Sequence, residues 1–349
     1  MKLREIGSSG IRVHPIGMGC WAYGGGAYWG KQSQKDVQQI VDAALDNGVN
    51  LFDTAEMYND GKSEAALGEA LKHRRQEAII MTKISPQFCR RGMVEKHCDA
   101  SLKRLSTDYI DCYVVHWPFQ LNSLKHMTKD SSLLTPIDSR EAFDELNTLI
   151  LKGKVRTLGV SNFGVKQLKE AFDCGAPICL NQITYNLLSR AIEAEILPFC
   201  REHNISIIGS MALQQGLLAG IYATPDQVPP AQAHSRHFSI ERSGEYGRHH
   251  GPGAEKEIFD ALKQIGQIAQ ELMVSMAQIA IAWVLAKKGI AATLVGSRNL
   301  QEFLMNLQAA ELSLSDETIA QLDSITQKVL VKLGYNADYY EDNDNSRIF

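Results

Sequence analysis

The sequence predicts a closed barrel of eight parallel β-strands surrounded by helices, a (β/α)8 TIM-type fold. Strand-like apolar runs alternate with helical apolar stripes along nearly the whole chain, which is the pattern of successive βα units. No second block of distinctive composition interrupts this alternation, so closure into a barrel is favoured over an open, doubly wound sheet. Three of the runs also end in polar side chains, where such a barrel carries its functional groups.

A short N-terminal β-hairpin is predicted for residues 2–13, with Gly7 to Gly10 as its turn, and we expect it to close the amino end of the barrel. The first barrel strand is expected at Pro15 to Gly19. Later strands are expected at residues 50–53, 78–83, 109–115, 156–161, 178–182, 205–209 and 293–297. The helical stripes comprise Val37, Ile40, Val41, Ala44 and Leu45; residues 65–71; Val94, Cys98, Leu102 and Leu105; and Phe143, Leu146 and Ile150.

Length and composition favour one domain over residues 1–349. A chain of 349 residues suits a single barrel with extended loops, and its 44% hydrophobic content allows a large core. A net charge of -4 gives no broad basic surface, so nucleic acid is not expected as a partner. The longest apolar stretch, residues 276–286, is too short to cross a bilayer, so no membrane partner is expected.

The N-terminus and the cysteines predict a cytoplasmic protein. Residues 1–13 have no apolar signal core or cleavage pattern. The 7 cysteines are scattered and form no paired metal-ligand spacing, which favours reduced thiols and argues against a zinc site.

Four polar residues stand at or just after the ends of predicted strands: Asp53, Tyr58, Lys83 and His116. Because these ends share one face of a parallel barrel, the four side chains can converge. A tyrosine hydroxyl becomes a useful acid when a nearby ammonium stabilises its phenolate, which is a role for Lys83, and Asp53 would keep that ammonium charged. His116 would donate to a carbonyl oxygen and stabilise negative charge as a hydride arrives at carbon.

Each of these residues also has an ordinary structural explanation. Asp53 alone suits a turn or a helix cap, and His116 alone suits a hydrogen-bonded core histidine. Tyr58 alone suits packing, and Lys83 alone suits a surface charge at a strand end. Their joint placement favours a catalytic site, with Glu56 as the second candidate for the acid.

The chain resembles the aldo-keto reductase family, in its bacterial and potassium-channel β-subunit-like branch. The similarity covers roughly residues 3–330 and is carried by residues 53–71 (DTAEMYNDGKSEAALGEAL), 82–83 (TK), 101–118, 153–163 (GKVRTLGVSNF), 180–188 (LNQITYNLL), 215–220 (QGLLAG) and 295–306. It implies that Tyr58 is the proton donor, Lys83 and Asp53 its tuning pair, and His116 the group that orients the carbonyl.

The resemblance also implies a nicotinamide cofactor, NADP(H) by preference, with NAD as the alternative. Ser161, Asn162 and Gln182 have the donors and acceptors to hold the carboxamide. Arg298, just before a predicted helix, is the best candidate to bind a 2′-phosphate. The implied cofactor contacts are Ser161, Asn162, Gln182, Ser210, Leu213, Gln215, Gly216, Gly296, Ser297, Arg298, Glu302 and Asn306.

Two departures from the family pattern affect the cofactor. Residues 210–213 read Ser-Met-Ala-Leu where similar sequences often have an aromatic residue followed by Ser-Pro-Leu, so the ring that would stack on the nicotinamide is absent. Glu302 stands where Gln or Arg is frequent, and its charge would oppose a 2′-phosphate unless Arg298 neutralises it.

A glycine motif at Gly17, Gly19 and Ala22 offers a competing interpretation as a dinucleotide-binding turn. No helix can begin promptly through the following glycines, so a Rossmann fold is disfavoured. Residues 19–30 are expected instead to form an active-site loop that carries Tyr28 among its aromatic residues. The candidate substrate residues are Trp21, Tyr23, Trp29 and Trp117, although packing explains such aromatic side chains nearly as well.

Two segments lie outside the barrel pattern. Residues 222–256 are rich in Gly, Pro, His and Arg, and we interpret them as a lid-like insertion whose arginines approach cofactor phosphates. The histidine pairs in this segment are not expected to bind metal. The acidic, aromatic C-terminal tail, residues 332–349, would cover the substrate pocket or an interface of a homo-oligomer.

Together these observations predict an NAD(P)H-dependent oxidoreductase that reduces an aldehyde or ketone, sugar-derived carbonyls included, with the reverse oxidation also open. Its partner would be a small carbonyl substrate. The alternative is a cofactor-sensing regulatory subunit, because proteins similar to potassium-channel β subunits keep the same barrel and the same four residues.

Overall fold

In the computed structural model, which describes residues 2–26 and 29–348, eight parallel strands form a closed barrel. An antiparallel hairpin of β1 Arg4–Glu5 and β2 Arg12–Val13 precedes it. The barrel strands are β3 Ile16–Gly19, β4 Leu51–Asp53, β5 Ile79–Ile84, β6 Ile110–Val115, β7 Val155–Ser161, β8 Ile178–Thr184, β9 Ser206–Ser210 and β10 Ile290–Val295. Strands β3 to β10 follow one another around the barrel, and β10 pairs with β3 to close it. The predicted (β/α)8 TIM barrel is confirmed.

The helices surround this barrel. They are α1 Gln34–Asp46, α2 Lys62–Leu71, α3 Val94–Leu105, α4 Leu121–Met127, α5 Ser139–Leu151, α6 Val165–Asp173, α7 Ile196–Glu202, α8 Ile240–Ser243, α9 Glu255–Glu271, α10 Met276–Ala286, α11 Leu300–Leu307 and α12 Asp316–Leu333. Within residues 2–26 and 29–348, no single helix is long and apolar enough to span a membrane, although α9 and α10 pass by length and composition as a pair bent by 95°.

The helical stripes pack against the barrel largely as the spacing predicts. Helix α1 buries all five residues of its predicted stripe, and α3 buries its four. Helix α5 differs slightly, because Leu149 is buried while Ile150 is only partly covered. The buried face of α5 is therefore wider than the predicted stripe and includes Ala142 and Leu149.

The N-terminal hairpin, β1 and β2, fills the amino end of the barrel. Its Ile6, Ile11 and Val13 are buried and pack in one cluster with inward-facing barrel residues such as Leu51. The turn residue Gly7 has a φ of 50°, and a Cβ there would lie 2.4 Å from the Cys179 carbonyl oxygen, so only glycine fits. The amino end is thus closed by apolar packing, and the carboxyl end remains for function.

Strand register brings the predicted site residues to that carboxyl end. Asp53 pairs with Gly19 across β4 and β3, and Ser161 pairs with Gln182 across β7 and β8. Lys83 lies one residue before the end of β5. Because all barrel strands are parallel, these positions lie on one face of the molecule.

The long segment after β9 contains short structured pieces. It includes a short 3-10 helix at Gln214–Ala219 and the single turn α8, and helix α9 begins at Glu255, slightly before the predicted end of the insertion. Ala233, Phe238 and His249 are buried within it. The segment is therefore packed against the rest of the protein.

Candidate active site

The four predicted catalytic residues lie together at the carboxyl end of the barrel. The Lys83 ammonium is 2.5 Å from Asp53 Oδ1, 2.7 Å from the Thr54 carbonyl oxygen and 3.2 Å from the Tyr58 hydroxyl. The His116 ring lies edge-on to the Tyr58 ring, with centroids 5.6 Å apart. The hydroxyl, the ammonium, the carboxylate and the imidazole thus share one small volume.

Burial and the contact between Asp53 and Lys83 act in opposite directions on the charges of this pair. Burial raises the pKa of Asp53 and lowers the pKa of Lys83, and the contact between the two groups opposes both shifts by favouring the ion pair. Lys83 is completely buried, so its ammonium depends on this carboxylate and on the Thr54 carbonyl for stabilisation. The role assigned to Asp53, which is to keep Lys83 charged, is consistent with this geometry.

Burial fixes the protonation states of Tyr58 and His116. Burial raises the pKa of the Tyr58 hydroxyl well above its usual range, and the Asp53 carboxylate adds to this shift, so Tyr58 carries its proton at neutral pH. Burial lowers the pKa of His116 well below its usual range, and the Lys83 ammonium reinforces this, so the ring is neutral. His116 Nδ1 is buried and has no hydrogen-bond partner among the described residues.

A second layer of amides and hydroxyls joins this group to β7 and β8. Gln182 Nε2 donates to Asp53 Oδ2 at 3.2 Å, and Ser161 Oγ donates to the Gln182 carbonyl oxygen at 2.9 Å. Asn162, which has a φ of 62°, donates from Nδ2 to the His116 carbonyl oxygen at 3.1 Å. Gln182 Oε1 is buried without a partner in the described part of the chain. A free, buried amide oxygen suits the amide donor of a nicotinamide carboxamide.

The loop after β9 has an unusual backbone. Met211, Gln214 and Gln215 have positive φ values of 58°, 47° and 52°, and Gly216 has a φ of 99°. This series follows directly on Ser210, the last residue of β9, and Leu213 packs partly buried against the core. The Gln214 and Gly216 N–H groups donate to the Met211 and Leu213 carbonyl oxygens at 2.9 and 3.0 Å, so this stretch forms two tight turns. Backbone turns that contain left-handed residues can form concave anion sites.

Helix α11 presents its amino end near the same face, but Glu302 occupies it. Asn299 is the N-cap, and its side chain accepts from the Glu302 backbone N–H at 2.9 Å. The Glu302 carboxylate in turn accepts from the Arg298 backbone N–H and from Asn299 Nδ2, each at 2.9 Å. Glu302 is therefore bound by backbone and amide donors, and the exposed Arg298 side chain does not form an ion pair with it.

The other predicted residues of this region differ in exposure. Ser297 is buried and receives a long hydrogen bond of 3.5 Å from Asn306 Nδ2. Gly296 is exposed, and a Cβ there would meet only the Gly19 carbonyl oxygen at 3.8 Å. Both residues lie between β10 and α11. Gly296 could therefore contact a ligand bound at the amino end of α11.

The aromatic residues predicted to line the substrate mouth divide into two groups. Trp21 stacks on Tyr58 with centroids 5.8 Å apart, and Trp29 meets Trp21 edge-on at 5.2 Å. Tyr23, in contrast, is fully buried in the main hydrophobic core, so the structure corrects its predicted place at the mouth. Trp117 is also mostly buried, because the Arg347 guanidinium lies over its ring at 3.6 Å. Tyr28 lies outside the described residues.

Sequence reasoning missed Asn59, a neighbour of this site. Asn59 Nδ2 donates to the carbonyl oxygens of Trp21 and Tyr23 and so ties the aromatic loop to the segment that carries Tyr58. Its φ of 52° is a turn property that its type, Asn, could have indicated. Glu56 points elsewhere: its carboxylate binds the Ser85 N–H at 2.8 Å and His97 Nδ1 at 2.6 Å. This orientation disfavours Glu56 as the acid.

The arginines of the insertion are already bound to other protein groups. Arg236 donates to the carbonyl oxygens of Leu333 and Asn336, and Arg242 pairs with Asp226 at 3.0 Å. Arg248 contacts His126. Within the described residues, no three His, Cys, Asp or Glu side chains are grouped as metal ligands would be.

His237 anchors the insertion to the barrel and makes a pH-dependent contribution to stability. Its Nε2 lies 3.0 Å from both the Leu188 carbonyl oxygen and Ser189 Oγ, and burial lowers its pKa to about 3, with Arg236 opposing protonation further. In the unfolded chain, His237 takes up a proton near pH 6.5. Its contribution to the free energy of unfolding is therefore complete above pH 6.5 and is lost as the pH falls towards 3.

When the pH is lowered from 7 to 5, we expect the free energy of unfolding to fall by about 2 kcal/mol because of His237. Denaturant titrations of the protein and of His237→Gln, which keeps an amide donor for Leu188 but does not titrate, measure the difference. An equal loss in both proteins over this pH range would show that other groups cause the acid sensitivity.

Comparison with known proteins identifies the family. The model of the aldo/keto reductase family matches residues 15–327, which include all four residues of the buried cluster. The chain belongs to the aldo/keto reductase family.

Curated relatives of this aldo/keto reductase match it over almost its full length. The aldo-keto reductase YhdN of Bacillus subtilis is 30% identical over 345 residues, covering 95% of both chains. The NADH-specific methylglyoxal reductase of Escherichia coli is 30% identical over 90% of this chain and 95% of its own. A probable voltage-gated potassium channel subunit beta of Arabidopsis thaliana is 30% identical over 89% of this chain and 92% of its own.

Solved structures show the same fold. The glycerol dehydrogenase AKR11B4 of Gluconobacter oxydans superposes with a TM-score of 0.74 at 27% identity, covering 96% of each chain. An aldo-keto reductase of Klebsiella pneumoniae in complex with NADPH superposes with a TM-score of 0.71 at 24% identity, covering 100% of this chain and 99% of its own. At this level of identity, the Klebsiella protein supports the fold alone.

Proposed function

We propose that this aldo/keto reductase reduces an aldehyde or ketone to the alcohol with NADPH or NADH, and that Tyr58 is the proton donor. The observation that supports this most strongly is the Tyr58 hydroxyl, protonated and 3.2 Å from the Lys83 ammonium, beside a neutral His116. A bound nicotinamide supplies hydride chemistry. The carbonyl carbon gains the hydride, and its oxygen takes the proton from Tyr58, which leaves a phenolate that Lys83 stabilises.

His116 orients the carbonyl in this proposal. A neutral imidazole can donate one hydrogen bond to the carbonyl oxygen, which stabilises the negative charge that develops there. His116 cannot easily take up a second proton, because burial and the Lys83 ammonium both disfavour the charged ring. The acid role therefore falls to Tyr58.

The residues around Gln182 are proposed to hold the nicotinamide. Gln182 Oε1, Ser161 and Asn162 would bind the carboxamide, and the left-handed backbone from Met211 to Gly216 would face the phosphates. Ser210 replaces the frequent aromatic residue, so the ring would be held by these polar contacts.

The experiment that tests this function is a turnover assay with a panel of carbonyl compounds, NADPH and NADH. The panel includes methylglyoxal, because a relative is named as its reductase, together with sugar-derived aldehydes and simple ketones. Oxidation of the cofactor that depends on the carbonyl compound would support the proposal. Tight cofactor binding without turnover of any compound would contradict it.

A regulatory role is the second candidate, supported by the similarity to a probable potassium channel subunit beta. Such a protein would bind NADPH or NADP+ and would change its interaction with a partner protein according to which form is bound. Pull-down of a membrane-protein partner that changes with the redox state of the bound cofactor would favour this candidate, and the carbonyl panel would separate it from the enzyme.

Arg298 and Glu302 are expected to set the choice between the two cofactors. We expect a preference for NADPH, and Arg298→Ala should raise the dissociation constant of NADPH roughly tenfold while NADH changes little, because only NADPH carries the 2′-phosphate. Glu302→Gln should strengthen NADPH binding, since it removes a carboxylate from the amino end of α11. Fluorescence titrations measure the six dissociation constants, for two cofactors and three proteins. Equal weakening of both cofactors in Arg298→Ala would show that this side chain does not bind the 2′-phosphate.

The insertion at residues 222–256 is proposed to act as a lid over the cofactor. We expect limited proteolysis within it to be faster in the free protein and suppressed by saturating NADPH, because a bound cofactor would restrain the local opening that cleavage requires. The exposed loop around Leu151 is the internal control, since it lies at the end of α5 and far from β9 in the chain. Equal cleavage with and without NADPH would mean that the segment is not a cofactor lid.

A further inference from the structure

The C-terminal tail, residues 334–348, is organised around one buried carboxylate. Asp338 accepts hydrogen bonds from the backbone N–H groups of Tyr340, Glu341 and Arg347, at 3.1, 3.2 and 2.9 Å. It also binds the Arg347 guanidinium through Nε at 2.9 Å and Nη2 at 2.6 Å. Asp338 thereby folds the tail back on itself and fixes the position of one arginine.

Arg347 is buried but only partly satisfied. Its side chain is 1% exposed, one edge of its guanidinium is bound by Asp338, and its face lies 3.6 Å over the Trp117 ring. The remaining nitrogen, Nη1, is buried and has no hydrogen-bond partner within residues 2–26 and 29–348. A buried guanidinium N–H without an acceptor is costly, which makes it a candidate to bind a ligand.

The position of this nitrogen connects it to the proposed reaction. Trp117, on which the guanidinium lies, follows His116 directly in the chain, and His116 Nδ1 is also buried without a partner. Tyr340 lies 5.6 Å from the Arg347 guanidinium, on the same segment of the tail. The tail therefore holds a guanidinium with one unpartnered nitrogen over the residue that follows His116 in the chain.

We propose that Arg347 Nη1 binds an anionic oxygen of the substrate, so that the preferred substrates are carbonyl compounds that carry a carboxylate or a phosphate. The proposal rests on the carbonyl reduction proposed above and defines its substrate class. Asp338 neutralises part of the charge of Arg347, and Glu341 and Arg248 lie nearby. The directional Nη1 hydrogen bond, rather than a broad positive field, would therefore select the anion. Because protein covers Nη1 here, this proposal requires the tail to open before a ligand can reach that nitrogen.

Matched substrates test this directly. The substrates are 4-carboxybenzaldehyde and its neutral methyl ester, and glyceraldehyde 3-phosphate and glyceraldehyde, which distinguish a carboxylate from a phosphate. We expect kcat/KM to favour at least one anionic member by roughly 10- to 100-fold, the scale of a hydrogen bond between charged groups. Arg347→Gln should remove this preference, so that the ratio of kcat/KM between the anionic and the neutral member of each pair falls to about 1.

Two further variants separate recognition from folding. The double variant Asp338→Asn/Arg347→Gln avoids an unpaired buried carboxylate and should behave as the single variant does. Arg190→Gln is the matched control, because Arg190 is also buried, pairs with Glu193 at 2.8 Å and lies 5.8 Å over the Trp283 ring. It should retain the anion preference.

Binding of benzoate and benzamide to the protein with NADP+, measured by calorimetry, keeps this test independent of turnover. If no carbonyl compound is reduced but benzoate binding depends on Arg347, the proposed reaction fails and the anion site stands. If neutral and anionic carbonyl compounds are reduced equally, or if Arg347→Gln slows both alike, the anion site is wrong and the proposed reaction stands.

Discussion

Tyr58→Phe is expected to lower carbonyl turnover by at least roughly a hundredfold while leaving cofactor affinity almost unchanged, which is the scale of lost general-acid catalysis. The substitution removes only the hydroxyl that lies 3.2 Å from Lys83 Nζ and keeps the ring that packs against Trp21 and His116. The loss should therefore appear in kcat, with the dissociation constant of the cofactor as the unchanged quantity.

Tyr113→Phe is the matched control for this variant. The Tyr113 hydroxyl is also buried, but it belongs to β6 in the main core and makes no hydrogen bond within the described residues. It should cost little turnover. Glu56→Gln tests the second candidate acid, and it should retain most activity, because the Glu56 carboxylate is bound to His97 and Ser85. Near-normal turnover by Tyr58→Phe, with a large loss in Glu56→Gln, would reverse the assignment.

The barrel could be predicted from sequence because its pattern is local and repeated. Each strand is a short apolar run, and each helix presents a stripe at the helical period, as in the five buried positions of α1. The convergence of Asp53, Lys83 and His116 followed from the fold, since parallel strand ends share one face. The protonation states of these groups could be assigned only from the structure, because they depend on burial.

The surroundings of the site could not be predicted in the same way. The pairing of Arg347 with Asp338 and its placement on Trp117 depend on an irregular tail that returns to the barrel from the far end of the chain. Irregular segments have no period to indicate a partner. The burial of Tyr23 is of the same kind, since an aromatic residue in a loop suits a core or a mouth equally well.

Glu302 shows how local chemistry redirects a side chain. Its sequence position suggested an ion pair with Arg298 or repulsion of a phosphate. The structure instead uses it to close the amino end of α11, with Asn299 as the reciprocal partner. Asn at the N-cap followed three residues later by Glu resembles a capping box. The contact could therefore have been predicted from the sequence, but the comparison with the family pattern directed attention to the phosphate instead.

The second large effect is expected from Asp53→Asn, which removes the carboxylate that lies 2.5 Å from Lys83 Nζ. A buried ammonium that loses its partner typically costs about 3–5 kcal/mol of the free energy of unfolding. The cost is relieved as Lys83 releases its proton, because burial already lowers the pKa of Lys83 and Asp53 is the main group that opposes this shift. The unfolded chain then binds more protons than the folded protein below pH 10.5, so the stability of the variant should rise as the pH increases towards that value.

Turnover should fall in the same variant, because a neutral amine does not stabilise the Tyr58 phenolate, and the alkaline limb of the pH–rate profile should move to lower pH. The double variant Asp53→Asn/Lys83→Met separates the two consequences. It removes the unpaired charge, so it should recover stability and lose the rise of stability with pH, while its turnover remains low. Denaturant titrations and pH–rate profiles of the three proteins measure both effects. An Asp53→Asn protein with the original stability and the original pH–rate profile would show that Lys83 keeps its proton without this carboxylate, and the tuning role of Asp53 would then be wrong.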